Sequence, residues 1–188
     1  MEHSNYYSSG KIIAGIDPSL RSTGVVVIDD KGNIIEQKLI KDKLLRGADR
    51  LIKIKNEVSD ILERNKVDIV AIEGFSFGSF GRSVFDLGGL GWILRVLLKE
   101  KNYKTFDISP SSLKSFIIKG NADKSMMMET VYHNYGISFS DDNLCDAFAL
   151  SRMVLALGDE TSKFSEKGGA NKIKRLRENL MKSGLDLK

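Results

Sequence analysis

Cysteine is nearly absent. Cys145 is the one thiol in 188 residues, which excludes an internal disulfide framework and any multi-cysteine zinc site. Histidine is almost as scarce, with only His3 and His133, so a histidine-rich metal centre is excluded as well. No apolar run reaches the roughly 18 residues that a membrane-spanning helix needs. The opening MEHSNYYSSGK lacks the charged-then-apolar order of a secretory signal, so an intracellular location is expected. Only 2 prolines, with 41% hydrophobic and 29% charged residues, exclude disordered, collagen-like and low-complexity chains. What remains is about one domain's worth of chain, able to bury its own core. Any chemistry must rest on carboxylates, hydroxyls or lysines.

The net charge of +4 is unevenly distributed. Between Lys163 and Lys182, seven Lys and Arg face only Glu166 and Glu178, a local excess of +5 that leaves the remainder near neutral. A near-neutral body with a basic tail suits a polyanionic partner such as nucleic acid. A solvated helix that keeps the chain soluble fits the same count.

Residues 1–10 read as a polar N-terminal arm. Lys11–Ile16 is an apolar strand that ends at Asp17-Pro18, since a residue before proline is pushed toward extended geometry. Thr23–Asp29 and Asn33–Ile40 are β-branched runs around Asp30-Lys31-Gly32, which predicts a hairpin and an antiparallel meander. From Leu44 to Leu62 apolar residues recur at helical spacing, up to a break near Asn65. Val67–Ile72 predicts a buried strand ending at Glu73. A Gly/Ser/Phe loop follows, then a helix over 83–101, a strand over 103–108 and a short helix opened by Ser109-Pro110. Further helices are expected over 123–135 and 142–157. A linker at Gly168-Gly169 leads to a last amphipathic helix. The order β-β-β-α-β-α-β-α-α-α predicts an α/β fold: a mixed five-stranded sheet, three antiparallel then two parallel strands, flanked by helices.

If the first strand lies centrally, it neighbours the fourth in parallel, and their carboxyl ends stand side by side. Asp17 ends one and Glu73 the other. Each alone is ordinary turn chemistry, but two close carboxylates are costly unless a cation or proton sits between them. DDNLCDAFAL adds a third group. Asp142 and Asp146 are four apart, and Asn143 and Asp146 three apart, so either pair shares a helix face. Asp141 and Asp142 also fit helix capping, whereas Asp146 lies a turn inside, where capping does not explain it. Oxygen ligands without His or Cys suit Mg²⁺ or Mn²⁺. Two such ions per active site serve in-line phosphodiester hydrolysis.

Four blocks in order, IIAGIDPSLRSTGVVVID, VDIVAIEGFSFG, DISPSSLKSFIIKGNADK and DDNLCDAFAL, resemble the RuvC-type Holliday junction resolvases, closest to phage-encoded members. The resemblance spans about Ile12 to Leu157 and implies a ribonuclease H-like nuclease domain over 11–158, with 159–188 a basic C-terminal extension. It implies that Asp17, Glu73 and Asp146 are catalytic carboxylates. The fourth family position falls on Asn143, a departure that leaves the second metal site to Asn143 or Asp142. Lys114 and Lys124 match basic residues that lie near the scissile phosphate and stabilise developing charge. A phage-encoded member would act in the host cytoplasm.

In GFSFGSFGRSVF, Phe75, Phe77 and Phe80 stand among glycines and serines just past Glu73. Aromatics on such a loop can stack on unpaired bases. The resemblance implies a wedge at the junction centre, with Phe77 first and Phe75 next; at least one of the three is expected to tuck into the core. Arg82 is placed to touch a phosphate. Glycines in the helix over 83–101 mark close packing. The resemblance implies that this helix makes a homodimer interface, apt for a two-fold symmetric junction cut on two strands. A helix buried within one subunit fits the same glycines.

The expected activity is therefore structure-selective endonucleolysis of four-way and other branched DNA, with paired symmetric nicks and no nucleotide cofactor. An RNA-processing nuclease of the same fold and a non-catalytic junction-binding protein are the rivals. The GIDPSLRSTG turn also occurs in actin-like ATPases, but those need two domains around a nucleotide cleft, and 188 residues are too few.

Overall fold

The computed structural model describes residues 10–75, 83–118, 124–158 and 178. Its elements are β1 (Ile13–Asp17), β2 (Thr23–Ile28), β3 (Ile34–Ile40), α1 (Gly47–Arg64), β4 (Ile69–Glu73), α2 (Ser83–Glu100), β5 (Lys104–Ile108), α3 (Pro110–Ile117), α4 (Lys124–Tyr135) and α5 (Asp142–Gly158). The order is the one the sequence predicts. The helix expected near residues 173–180, Glu178 apart, and the residues before Gly10 lie outside the described residues.

One sheet runs β3-β2-β1-β4-β5. β1 is central: it pairs antiparallel with β2 and parallel with β4, and β4 pairs parallel with β5. The IIAGI run is apolar at nearly every position because both faces of β1 are covered, and all five of its residues are buried. β3 is an edge strand, and half-buried and exposed positions alternate from Ile34 to Gln37, with only Ile40 buried. The predicted hairpin closes as its chemistry dictates. Asp29 Oδ1 accepts from the backbone N–H of Lys31 (2.9 Å) and of Asn33 (2.8 Å), and Gly32 takes φ +85°.

Helices cover both faces. Ile13, Val26, Ala71 and Phe106 point to one side, against α3, α4 and the nearly encased α5. Ala14, Ile16, Val25, Val70 and Ile72 point to the other, against α1 and α2. Cys145 is buried in the first core, as are Met127 and, in part, Met128. Burial, helped by the negative charges of Asp146 and Asp142, pushes the Cys145 thiol up to about 12, so it is a small core residue without thiolate chemistry.

Element ends differ from expectation by one to three residues, the largest at α1, which starts at Gly47 rather than Leu44. β4 begins at Ile69 rather than Val67, and just before it Asp68 ties to the approach of β1 through its backbone, its N–H donating to the Ile12 carbonyl at 2.9 Å, as well as through its side chain. Its carboxylate accepts from the Ile12 N–H (2.9 Å) and from Lys11 Nζ (2.9 Å), closing the start of β1 before strand pairing begins. The short helix α3 opens as read: Ser109 Oγ accepts from the Ser112 N–H at 3.1 Å, and Pro110 occupies the first turn.

Candidate active site

Strand alternation decides where the carboxylates face. Ile13 points into the α5-side core and Ile16 into the other, so Gly15 and Asp17 face α5. On β4, Ile69 and Ala71 face α5, and Glu73 follows them by the same period. The parallel register ends with Ile16 opposite Ile72. One step further, Asp17 and Glu73 therefore stand side by side at one sheet edge, on one face. Asp17 is only 6% exposed. The turn beyond it is held internally: Thr23 Oγ1 donates to the Ser19 carbonyl (2.7 Å) and accepts from the Ser19 N–H (3.1 Å).

Two glycines bring α5 onto that edge. A Cβ on Gly15 would lie 1.8 Å from the Ala147 carbonyl oxygen, and one on Gly24 would lie 2.2 Å from that of Asn143. Only hydrogen fits at either place. The first two turns of α5 thus sit on the end of β1 and the start of β2, and Asp146 arrives beside Ala147. Asp17 itself pairs with Gly24. Asp142 lies in the first turn of α5, and Asp142, Asn143 and Asp146 are all partly exposed.

Asp141 is the cap of α5. Its Oδ1 accepts from the Asn143 N–H (3.0 Å) and from Asn143 Nδ2 (3.0 Å), while Oδ2 meets Lys41 Nζ at 3.2 Å. Asn143 Nδ2 also donates to Ser22 Oγ at 2.7 Å. An ionised carboxylate only accepts, so Asp141 determines which end of the Asn143 amide faces it. The amide nitrogen is committed to bracing α5 on the β1–β2 turn.

The side chains that β1, β4 and the first turns of α5 bring to this end of the sheet, those of Asp17, Glu73, Asp142, Asn143 and Asp146, offer oxygen donors. That chemistry fits a hard divalent cation. The convergence is one of backbone position and facing: among the described residues, no three Asp, Glu, His or Cys side chains gather about a single point.

Lys114 is exposed on α3, which springs from β5 at the same edge, where Ile108 pairs with Glu73. Lys124 is the first residue of α4, and its side chain lies outside the described residues. Phe77, Phe80 and Arg82 also lie outside them. Phe75 is described, and it lies against α2 rather than standing free. Its ring is 5.6 Å from that of Trp92, and the Arg95 guanidinium sits 4.3 Å over it. Pro18, Glu73, Phe75, Leu87, Trp92 and Arg95 line a cavity of about 540 Å³ beside the Glu73 strand end. Ser22 and Arg95 were invisible as site residues in the sequence. Ser22 reads as one more turn serine, and Arg95 as one more helix cation.

A mixed sheet in this order, with carboxylates ending its two central parallel strands and a third on the helix packed across them, is the ribonuclease H-like arrangement. The solved structure of Thermus thermophilus RuvC in complex with Holliday junction substrate has this fold, with a TM-score of 0.66 and 19% identity over 85% of this chain and 97% of that one. The yeast mitochondrial Holliday junction resolvase Ydc2 superposes with a TM-score of 0.57 at 14% identity, over 94% of this chain and 85% of that one. In sequence, the RuvC protein of Prochlorococcus marinus subsp. pastoris is 29% identical over 146 residues, covering 74% of this chain and 92% of the relative. That of Thermotoga maritima is 29% identical over 146 residues, covering 74% and 87%. The family model for crossover junction endodeoxyribonuclease RuvC matches residues 13–152. The chain belongs to that family.

Proposed function

We propose that this chain is a structure-selective endonuclease that resolves four-way DNA junctions by divalent-metal-dependent phosphodiester hydrolysis, leaving paired symmetric nicks. The observation that carries the reading is the facing of Asp17 and Glu73 onto the turns of α5 that bear Asp146, at a contact only Gly15 and Gly24 permit. Asp17, Glu73 and Asp146, completed by Asp142 or by the carbonyl oxygen of Asn143, are the residues to hold Mg²⁺ or Mn²⁺, with two ions per site. Bound there, the cation supplies positive charge at the scissile phosphate and acidifies the attacking water.

The chain's own residues do the rest. Burial and strand geometry hold Asp17 in one place, so the ligand set needs little ordering when DNA arrives. Asp141, Ser22 and Lys41 keep the first turn of α5 seated. Lys114 and Lys124 are the cations for developing negative charge on the phosphate. Phe75 and Phe77 are the aromatics for unpaired bases at the branch, Arg82 a phosphate contact, and the basic extension over 159–188 a clamp on DNA arms that makes binding salt-dependent. No described helix is long and apolar enough to cross a membrane.

A homodimer supplies two such sites. Phe85 (83% exposed), Trp92 (63%) and Val96 share one side of α2 with Gly88, whose missing Cβ faces open space. An isologous contact through this stripe buries it and sets the two active sites by symmetry. Trp92→Glu is expected to shift sedimentation from dimer to monomer and to replace paired nicks by single ones; a dimer that persists would place the interface elsewhere.

The deciding experiment is cleavage of a labelled four-way junction against matched duplex and an RNA hairpin, with Mg²⁺ or with EDTA. Paired nicks on the junction alone, lost with EDTA and with Asp146→Asn, are expected. Binding without cleavage in Mg²⁺ and in Mn²⁺ would leave a non-catalytic junction binder, and preference for the hairpin would make the chain an RNA-processing nuclease.

A further inference from the structure

Arg95 makes an unusual number of commitments for a helix cation. Its side chain is only 12% exposed. Nε and Nη2 both donate to Asp107 Oδ1, Nε at 2.9 Å, and Nε also reaches Oδ2 at 3.3 Å. Nη2 also donates to the backbone carbonyl of Glu73 at 3.0 Å, and Nη1 to that of Gly91 at 2.9 Å. The guanidinium face lies 4.3 Å from the centre of the Phe75 ring. The ring reaches that position because residue 91 is glycine: a Cβ there would stand 2.4 Å from Phe75 Cε1. One planar group therefore joins β5, α2, the last carbonyl of β4 and the first aromatic after it.

We infer that Arg95 is a positioning residue for the active site. Anchored by Asp107, it holds the Glu73 backbone and the Phe75 ring in one relative geometry, so that the carboxylate and the base-stacking surface move as a unit. The inference rests on the nuclease reading above. Arg95 itself touches no reacting atom. Its effect runs through the Glu73 carbonyl, which sets where the carboxylate leaves the sheet, and through the ring it covers. Lysine cannot replace it, because an ammonium on a flexible stem supplies neither the fork to Asp107 nor a flat face for Phe75.

The test uses the full-length protein and the Arg95→Met and Arg95→Lys variants. Trp92 is the single tryptophan, and the Phe75 ring is its neighbour at 5.6 Å, so its emission reports on Phe75 without any substrate. Arg95→Met is expected to shift Trp92 emission toward that of Phe75→Ala. It is also expected to slow single-turnover junction cleavage, at saturating enzyme, on the order of 100-fold, the scale of a displacement near 1 Å. Arg95→Lys should not rescue either readout. Unchanged emission and rate in Arg95→Met would overturn the inference, and so would full rescue by Arg95→Lys, which would reduce the role to charge. If Arg95→Met fails to fold by circular dichroism, Asp107→Asn takes its place. Asp107 is half-exposed, so this change loosens the anchor without opening the core, and it should give a smaller shift and a smaller loss; no change in either would overturn the inference. If the wild-type protein itself does not cut junctions, the nuclease reading falls, while Trp92 emission in Arg95→Met still decides whether Arg95 holds Phe75.

Discussion

Asp17→Asn is expected to lower the single-turnover rate of junction cleavage by about 1,000-fold or more, the upper scale for loss of one pre-organised electrostatic group in an active site, with no loss of thermal stability. The argument starts from shape. Asparagine matches aspartate in volume, so the packing of β1 against β2 and β4 survives. What changes is one negative charge at an edge that also carries Glu73, Asp142 and Asp146. Concentrated like charge opposes folding, so its partial removal leaves the melting temperature unchanged or raises it. Activity and stability therefore move in opposite senses. Thermal melting in EDTA beside cleavage in Mg²⁺ measures both. A melting temperature that falls in step with the rate would make Asp17 a structural residue and remove it from the chemistry.

Gly15→Ala is expected to produce the largest loss of stability from one added methyl group. The new Cβ would sit 1.8 Å from the Ala147 carbonyl oxygen and 2.9 Å from the Ser151 nitrogen. Both are backbone atoms of α5, so no side chain can swing aside; the helix must lift or the central strand must bend. Overpacking of a tight core costs about 1–3 kcal/mol and more where backbone is in the way, so a value at or above 3 kcal/mol is expected in chemical denaturation. Cleavage should fall even under conditions where the variant is folded, because lifting α5 carries Asp146 away from Asp17 and Glu73. Gly88→Ala is the matched control. Its Cβ would meet nothing within 4 Å in the single chain, and in a helix alanine is favoured over glycine by about 1 kcal/mol. With both variants made in the Trp92→Glu background, where the α2 contact between copies is removed, it should therefore hold or raise stability. If Gly15→Ala behaves like Gly88→Ala, α5 does not bear on β1 as described.

The contrast between these glycines shows where sequence reading stops. GIDPS and TGVVV announce strands, and both glycines read as small residues in β runs. Nothing local says that Gly15 and Gly24 are contact points for a helix more than 100 residues away. The same holds for Asn143. Its departure from the family pattern is visible in DDNLCDAFAL, but its bond to Ser22 spans 121 positions. Glu73 and Arg95 are 22 apart, and only the packing of α2 beside β4 makes one the backbone anchor of the other. That at least one of the loop phenylalanines packs inward is legible in the sequence; that it is Phe75, laid on α2 in the space cleared at Gly91, is not.

Sequence alone determined the element order, the mixed sheet, the strand-terminal positions of Asp17 and Glu73, and the placement of Asp146 inside a helix rather than at its cap. Hydrophobic period, turn chemistry and the proline after Asp17 are local properties, and local properties are written in consecutive residues. Tertiary structure decided which face the carboxylates share, how closely α5 approaches them, and which groups brace Asn143, Glu73 and Phe75. Those are contacts between distant segments, created only when the two cores close on either side of the sheet.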